Sequence, residues 1–200
     1  MKNSDLHGFV PDQAPTVLII LDMISDFEFP QGPQLLPRAK HIARNIARLK
    51  ERAGNSGIPT IYANDNYGRW RSRFDENLRH CQNEKSRGAE IARLLEPGDN
   101  DYIVLKPKHS AFYATALDTL LQHMKADTLI ITGVSAHQCV LFTANDAHVR
   151  DYKVIVPQDC IASPLTRERD FAVRYFNSVL HSETPTSTRM RLQRRRSRKR

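Results

Sequence analysis

The 200-residue chain is long enough for one domain with a full core, and its 26% charged and 40% hydrophobic residues are ordinary for a globular protein. No apolar run approaches the ~20 residues that span a bilayer, and three cysteines are too few for a disulfide framework. The net charge of +8 does not identify a nucleic-acid protein: eight of the thirty bases lie in residues 185–200, and the other twenty-two balance twenty-two acids.

Residues 1–15 are polar, carry Pro11 and Pro15, and read as a lead-in arm. They lack the apolar centre of an export signal, so a cytoplasmic location is expected. Residues 16–21, TVLIIL, form a continuous apolar run that reads as a strand buried on both faces. Asp22 follows at once. An acid at the carboxyl end of a central strand stands where open α/β sheets bind ligands. Asp26 and Phe27 come next, then a Pro/Gly loop through Pro37.

The spacing of Ala39, Ile42, Ala43, Ile46, Ala47 and Leu49 predicts an amphipathic helix over 38–53, ended by Gly54 and Gly57. A second strand is expected over 58–63. The loop after it, 64–74, is polar and aromatic, and offers Asp65 and Trp70 to a substrate. Residues 75–100 are polar, with one short helix near 89–95. His80 and Cys81 lack partners at metal-ligand spacing and read as structural or exposed. A third strand, 101–105, delivers Lys106. Residues 110–124 read as a helix whose apolar face includes Phe112 and Leu117.

Residues 128–132 form a fourth apolar, β-branched run, broken by Gly133. Cys139 then opens a segment with helical spacing. A thiol in a first helical turn meets unpaired N–H groups and the positive end of the dipole, which favours the thiolate. Nucleophiles recur at such strand–turn–helix elbows. A fifth strand is expected at 152–156, a helix at 166–177 and a short edge strand at 178–181. Alternating strands and helices give a parallel sheet with helices on both faces.

Three separated motifs, LDMISDF at 21–27, LKPKHSAF at 105–112 and TGVSAHQCVLFTANDA at 132–147, stand in order. Together they resemble the isochorismatase-like cysteine hydrolases, over nearly all of the chain from Thr16 to about Glu183. The resemblance implies a three-layer, Rossmann-like α/β fold with six parallel strands in the order 3-2-1-4-5-6. A domain over 16–184 is expected, and the basic tail 185–200, whose eight bases come without apolar residues at regular spacing, reads as disordered. The resemblance also implies catalytic roles: Asp22 as the base, Lys106 as the electrostatic partner and Cys139 as the nucleophile. An oxyanion hole is expected at the turn of Val134, Ser135 and Cys139, with a cis peptide between Val134 and Ser135. Phe27, Asp65, Trp70 and Phe112 are the expected pocket residues.

Nicotinamidases in this superfamily bind a divalent metal through an Asp-x-His motif and a further His. Here the corresponding loop reads Asp65-Asn66-Tyr67, so neither a metal nor another cofactor is expected. A nucleophilic cysteine also argues against vinyl-ether cleavage and for amide or ureido chemistry. His137, His148 and Cys160 are expected to pack rather than react. The partners expected are a small-molecule substrate and further copies of the chain, with no membrane. The competing reading is a retired hydrolase scaffold that binds RNA or another polyanion through its Arg-rich tail. The intact set of Asp22, Lys106 and Cys139 weighs against it.

Overall fold

A computed structural model describes residues 13–67 and 73–192. β1 (Thr16–Leu21), α1 (Gly32–Asn55), β2 (Thr60–Asp65), α2 (Phe74–Gln82), α3 (Ala89–Leu94) and β3 (Tyr102–Lys106) form the first half. α4 (Leu117–Met124), β4 (Thr128–Val134), α5 (Leu141–His148), β5 (Lys153–Ile155), β6 (Ile161–Ala162) and α6 (Thr166–Ser178) form the second. All strand pairs are parallel. Among the described residues no helix is long and apolar enough to cross a membrane.

The alternation of side chains along β1 divides the core in two. Val17, Ile19 and Leu21 pack with Leu117 and Leu121 of α4, Ala144 of α5 and Phe176 of α6. Leu18 and Ile20 point the other way, to Ile42 and Ile46 of α1 and Ile91 of α3. The strand is therefore apolar from Val17 to Leu21 because both of its faces are covered there.

The expected α/β architecture is present, but the strand order is β3-β2-β1-β4-β5, and β6 joins β4 directly. Residues 128–130 of β4 pair with β5, while Gly133 and Val134 pair with Ile161 and Ala162. A single turn of 3₁₀ helix at Gln158–Cys160 lies between β5 and β6. The two short strands thus share one edge of β4 instead of lying side by side. The edge strand expected at 178–181 is not formed, since α6 runs to Ser178; only Glu183 bridges to Ile155.

Three helix boundaries also differ from expectation. α1 begins at Gly32, with a proline in its first turn, where no N–H partner is lost, and with Pro37 inside the helix. Residues 107–116 do not continue α4, because side chains bind the local backbone instead. Thr115 Oγ1 donates to Ala111 O at 2.5 Å and accepts from the N–H of Leu117 at 3.1 Å. α2 forms in a stretch that reads as polar, and it buries only Cys81.

The basic segment does not begin at Pro185 as a free tail. Ser187–Arg189 forms a helical turn whose Ser187 N–H and Oγ both donate to the Asp159 carboxylate at 2.7 Å. The Arg52 guanidinium donates to Ser187 O and Met190 O at 2.8 and 2.7 Å, and Met190 is buried against the α1 side of the core. Residues up to Leu192 therefore belong to the folded body. Residues 193–200 lie outside the described part.

Candidate active site

β1 and β4 are hydrogen-bonded neighbours, while the chain leaves β1 toward β2 on one side and reaches β4 on the other. The carboxyl ends of β1 and β4 consequently border a crevice at a topological switch point. Leu21 pairs with Gly133 at its edge. Gly133 has φ +110°, and a Cβ there would stand 2.0 Å from Leu21 O, so the close approach of the two strands requires glycine.

Asp22 turns off β1 with φ +53°, in the left-handed region that Asp tolerates better than most residues. Its N–H donates to Ala63 O at 3.1 Å, and its Oδ1 accepts from the N–H of Asp65 at 2.8 Å. Lys106 ends β3, in register with Asp65 of β2. Its side chain, 0% exposed, places Nζ 2.8 Å from Asp22 Oδ2, 3.5 Å from Cys139 Sγ and 3.2 Å from Lys108 O. Asp22 Oδ2 is buried and makes no hydrogen bond of good geometry; its contact with the ammonium is ionic. The carboxylate also meets the Cys139 thiol.

Cys139 lies in one wide helical turn, Ala136–Val140, that leads into α5. The peptide between Val134 and Ser135 is cis. Ser135 O accepts from the N–H groups of Gln138 and Val140, the residues on either side of Cys139. The expected thiolate-stabilising environment is not what forms. Burial, then the Asp22 charge, pushes the Cys139 thiol far up, with Lys106 pulling the other way. Burial likewise pushes the Asp22 carboxyl up against the pull of Lys106. Burial pulls the Lys106 ammonium down, but Asp22, Cys139 and Asp65 together hold it above its ordinary value. The arrangement favours a neutral thiol beside a carboxylate that can take its proton.

The other expected residues divide. Asp65 touches the set through its backbone, and its Oδ1 accepts from the N–H of Tyr67 at 2.6 Å. Phe27 is 0% exposed among α1-side core residues and offers a substrate no surface. Phe112, 5% exposed, packs against the Tyr152 ring and under the Arg150 guanidinium. Trp70 lies outside the described residues. His137 Nδ1 and Ser163 Oγ are hydrogen-bonded at 2.9 Å, while Cys81 and Cys160 are fully buried. Among the described residues no three His, Cys, Asp or Glu side chains are placed to hold a metal ion. Asp65 with Asn66 and Tyr67 supplies no imidazole or thiolate, so this loop does not fit the nicotinamidase metal.

The sequence reading passed over one residue. His109 Nδ1 is 3.8 Å from Cys139 Sγ, and its ring lies 5.4 Å from that of Phe142. The signal available was its place three residues beyond Lys106, in the same loop.

The family model for the isochorismatase domain matches residues 16–188. The chain belongs to the isochorismatase family. The match ends within the helical turn that Asp159 and Arg52 hold, in keeping with a domain that extends past Thr184. Among its relatives, an uncharacterized isochorismatase family protein of Bacillus subtilis, YaaI, is 43% identical over 174 residues, spanning 87% of this chain and 95% of that one. An isochorismatase family protein of Desulfovibrio vulgaris superposes with a TM-score of 0.71 at 26% identity, covering 88% and 95% of the two chains. The N-carbamoylsarcosine amidase of Thermoplasma acidophilum gives 0.69 at 27% identity, covering 88% and 98%.

Proposed function

We propose that this isochorismatase-family protein is a cysteine hydrolase that cleaves the C–N bond of a small amide or ureido compound through a thioester on Cys139. The observation that carries the reading is the contact of Lys106 Nζ with both Asp22 Oδ2 and Cys139 Sγ, at 2.8 and 3.5 Å. The likeness to an N-carbamoylsarcosine amidase, a C–N hydrolase by name, supports the bond type.

Asp22 takes the thiol proton as Sγ attacks, which its raised proton affinity favours. Lys106 holds the carboxylate in place and balances the charge that develops on sulfur. The N–H groups at Ser135 and Cys139 receive the oxyanion, a role worth about 3 kcal/mol per donor. Water then hydrolyses the acyl-enzyme.

The test is to incubate the protein with acetamide, N-carbamoylglycine, N-carbamoylsarcosine and nicotinamide, quench in acid and measure intact mass. An adduct that is absent from Cys139→Ser and maps to Cys139 is the expected result. Release of ammonia or amine that persists in Cys139→Ser overturns the reading.

A further inference from the structure

The set described above approaches the thiol from the buried side. Asp22 and Lys106 stand on strand ends, and Lys106 is fully enclosed. His109, which is exposed, also reaches the thiol, with Nδ1 3.8 Å from Sγ. An amine leaves, and water arrives, from the exposed side.

His109 is held there by a built loop and is not a stray surface side chain. On one flank, the Lys106 ammonium donates to Lys108 O at 3.2 Å. On the other, Ser110 Oγ donates to the Asp146 carboxylate, and the N–H of Ala111 donates to Thr143 Oγ1 at 3.1 Å. Thr143 and Asp146 belong to α5, the helix that follows Cys139 directly. The loop is thus tied to the lysine that contacts the thiol and to the helix that positions it. Phe142, 50% exposed, packs its ring against the imidazole at a tilt of 48°, and Nδ1 faces Sγ.

We propose that His109 is the acid–base group for the leaving nitrogen. It protonates the amine as the C–N bond breaks, then takes a proton from the water that hydrolyses the thioester. The inference rests on the thioester reading above and names a residue for the half of the chemistry that reading leaves open. The steps balance. In acylation the thiol proton passes to Asp22, the S–C bond forms, the C–N bond breaks, and the nitrogen takes the imidazolium proton. In hydrolysis, water gives its proton to His109 and its oxygen to the acyl carbon. The C–S bond breaks and the thiolate recovers its proton from Asp22. The departing nitrogen is two bonds from Sγ through the acyl carbon, so a donor 3.8 Å from Sγ meets the ~3 Å reach that proton transfer needs when the nitrogen departs toward it.

The experiment compares two acetyl donors that differ in leaving group, 4-nitroacetanilide and 4-nitrophenyl acetate. Acylation of Cys139 is followed by intact mass in the wild type, His109→Gln and His109→Phe. The anilide must be protonated to leave; the nitrophenolate leaves unaided. Both variants are expected to lose anilide acylation by ~100-fold, the usual size of an acid–base contribution, while ester acylation changes little. Deuterated water is expected to slow the wild type with the anilide more than with the ester, a measurement that needs no variant. A parallel loss with both donors would make His109 a positioning residue and overturn the proposal, as would an unchanged anilide rate or equal isotope effects. If the wild type acylates Cys139 with neither donor, the thioester reading fails first and this inference with it.

Discussion

Lys106 reaches past β2 to pair with Asp22, ammonium to carboxylate at 2.8 Å, with its own side chain wholly out of solvent. A buried pair of this kind costs little while intact and a great deal when halved. Lys106→Met or Asp22→Asn alone is expected to lower stability by about 3–5 kcal/mol, since each leaves one buried polar partner unmatched. The double variant is expected to lose at least ~1 kcal/mol less than the sum. Urea unfolding of the four proteins measures this, and strict additivity would mean that the two groups do not act as a pair.

The thiol provides the second test. Cys81 and Cys160 have no exposed surface, and burial pushes their thiols up to about 11 and about 12. Cys139 is partly exposed but higher still. Iodoacetamide is therefore expected to label Cys139 first, through access and not through a preformed thiolate. Below a raised pKa the thiolate fraction grows with pH, so labelling should climb by about tenfold per pH unit from 7 to 10. Lys106→Met removes the cation that pulls the thiol down and should slow it further. Peptide mapping that shows a plateau near neutrality, or Cys81 labelled first, would contradict the geometry.

The same charges set the acid side of the pH–rate profile. Asp22 must be ionised to accept the thiol proton, and its folded pKa is raised. Activity is then lost as pH falls through that raised value, above the ordinary aspartate figure of about 3.9. Lys106 opposes the rise, so Lys106→Met should move the residual limb further up. Measurement of kcat/KM against pH on the substrate found by mass trapping decides this. A limb at or below the ordinary value would exclude Asp22 as the base.

Gly133 ties the fold to the site. A methyl group there meets Leu21 O at 2.0 Å in a backbone with φ +110°. Gly133→Ala should cost about 2–4 kcal/mol, the range for an incompatible backbone position. It should also separate Asp22 from Cys139, because Leu21 and Gly133 are the register pair from which the chain leads on to Asp22 and to the turn that carries Cys139. The expected outcome is loss of activity greater than the loss of folded protein measured by circular dichroism. Equal losses would show the glycine to be structural only.

What the sequence made legible follows from which interactions are local. β1 and β4 are largely apolar runs buried on both faces, and such runs announce themselves. Asp22, Lys106 and Cys139 stand out in the sequence because each follows its own strand, and the structure brings the three side chains together. β6 was missed because two residues carry no periodicity; they form a strand only by pairing with Gly133 and Val134. A helix start is visible in sequence, whereas the burial that raises the thiol comes from tertiary contact. Phe27 and Phe112 were assigned by proximity to motifs, yet a large apolar side chain goes to the core when core is within reach.

The C-terminal segment separates two roles that charge alone cannot. Removing residues 185–200 deletes the Ser187 bonds to Asp159, both Arg52 bonds and the buried Met190. Each such hydrogen bond is worth about 1 kcal/mol net, more where a charge is involved. A chain ending at Thr184 should accordingly lose about 3 kcal/mol or more, and melt several degrees lower. A chain ending at Leu192 keeps all of these contacts, and its Tm is expected to match the full protein within about 1 °C. That shorter deletion removes Arg194, Arg195, Arg196, Arg198, Lys199 and Arg200, six of the eight clustered bases. Binding to a single-stranded RNA homopolymer should be detectable for the full chain at low salt and fall steeply as salt rises. It should be lost in the chain ending at Leu192, while hydrolase activity remains. Retained RNA binding would place the polyanion surface on the folded body. Lost hydrolysis would instead join residues 193–200 to the active enzyme.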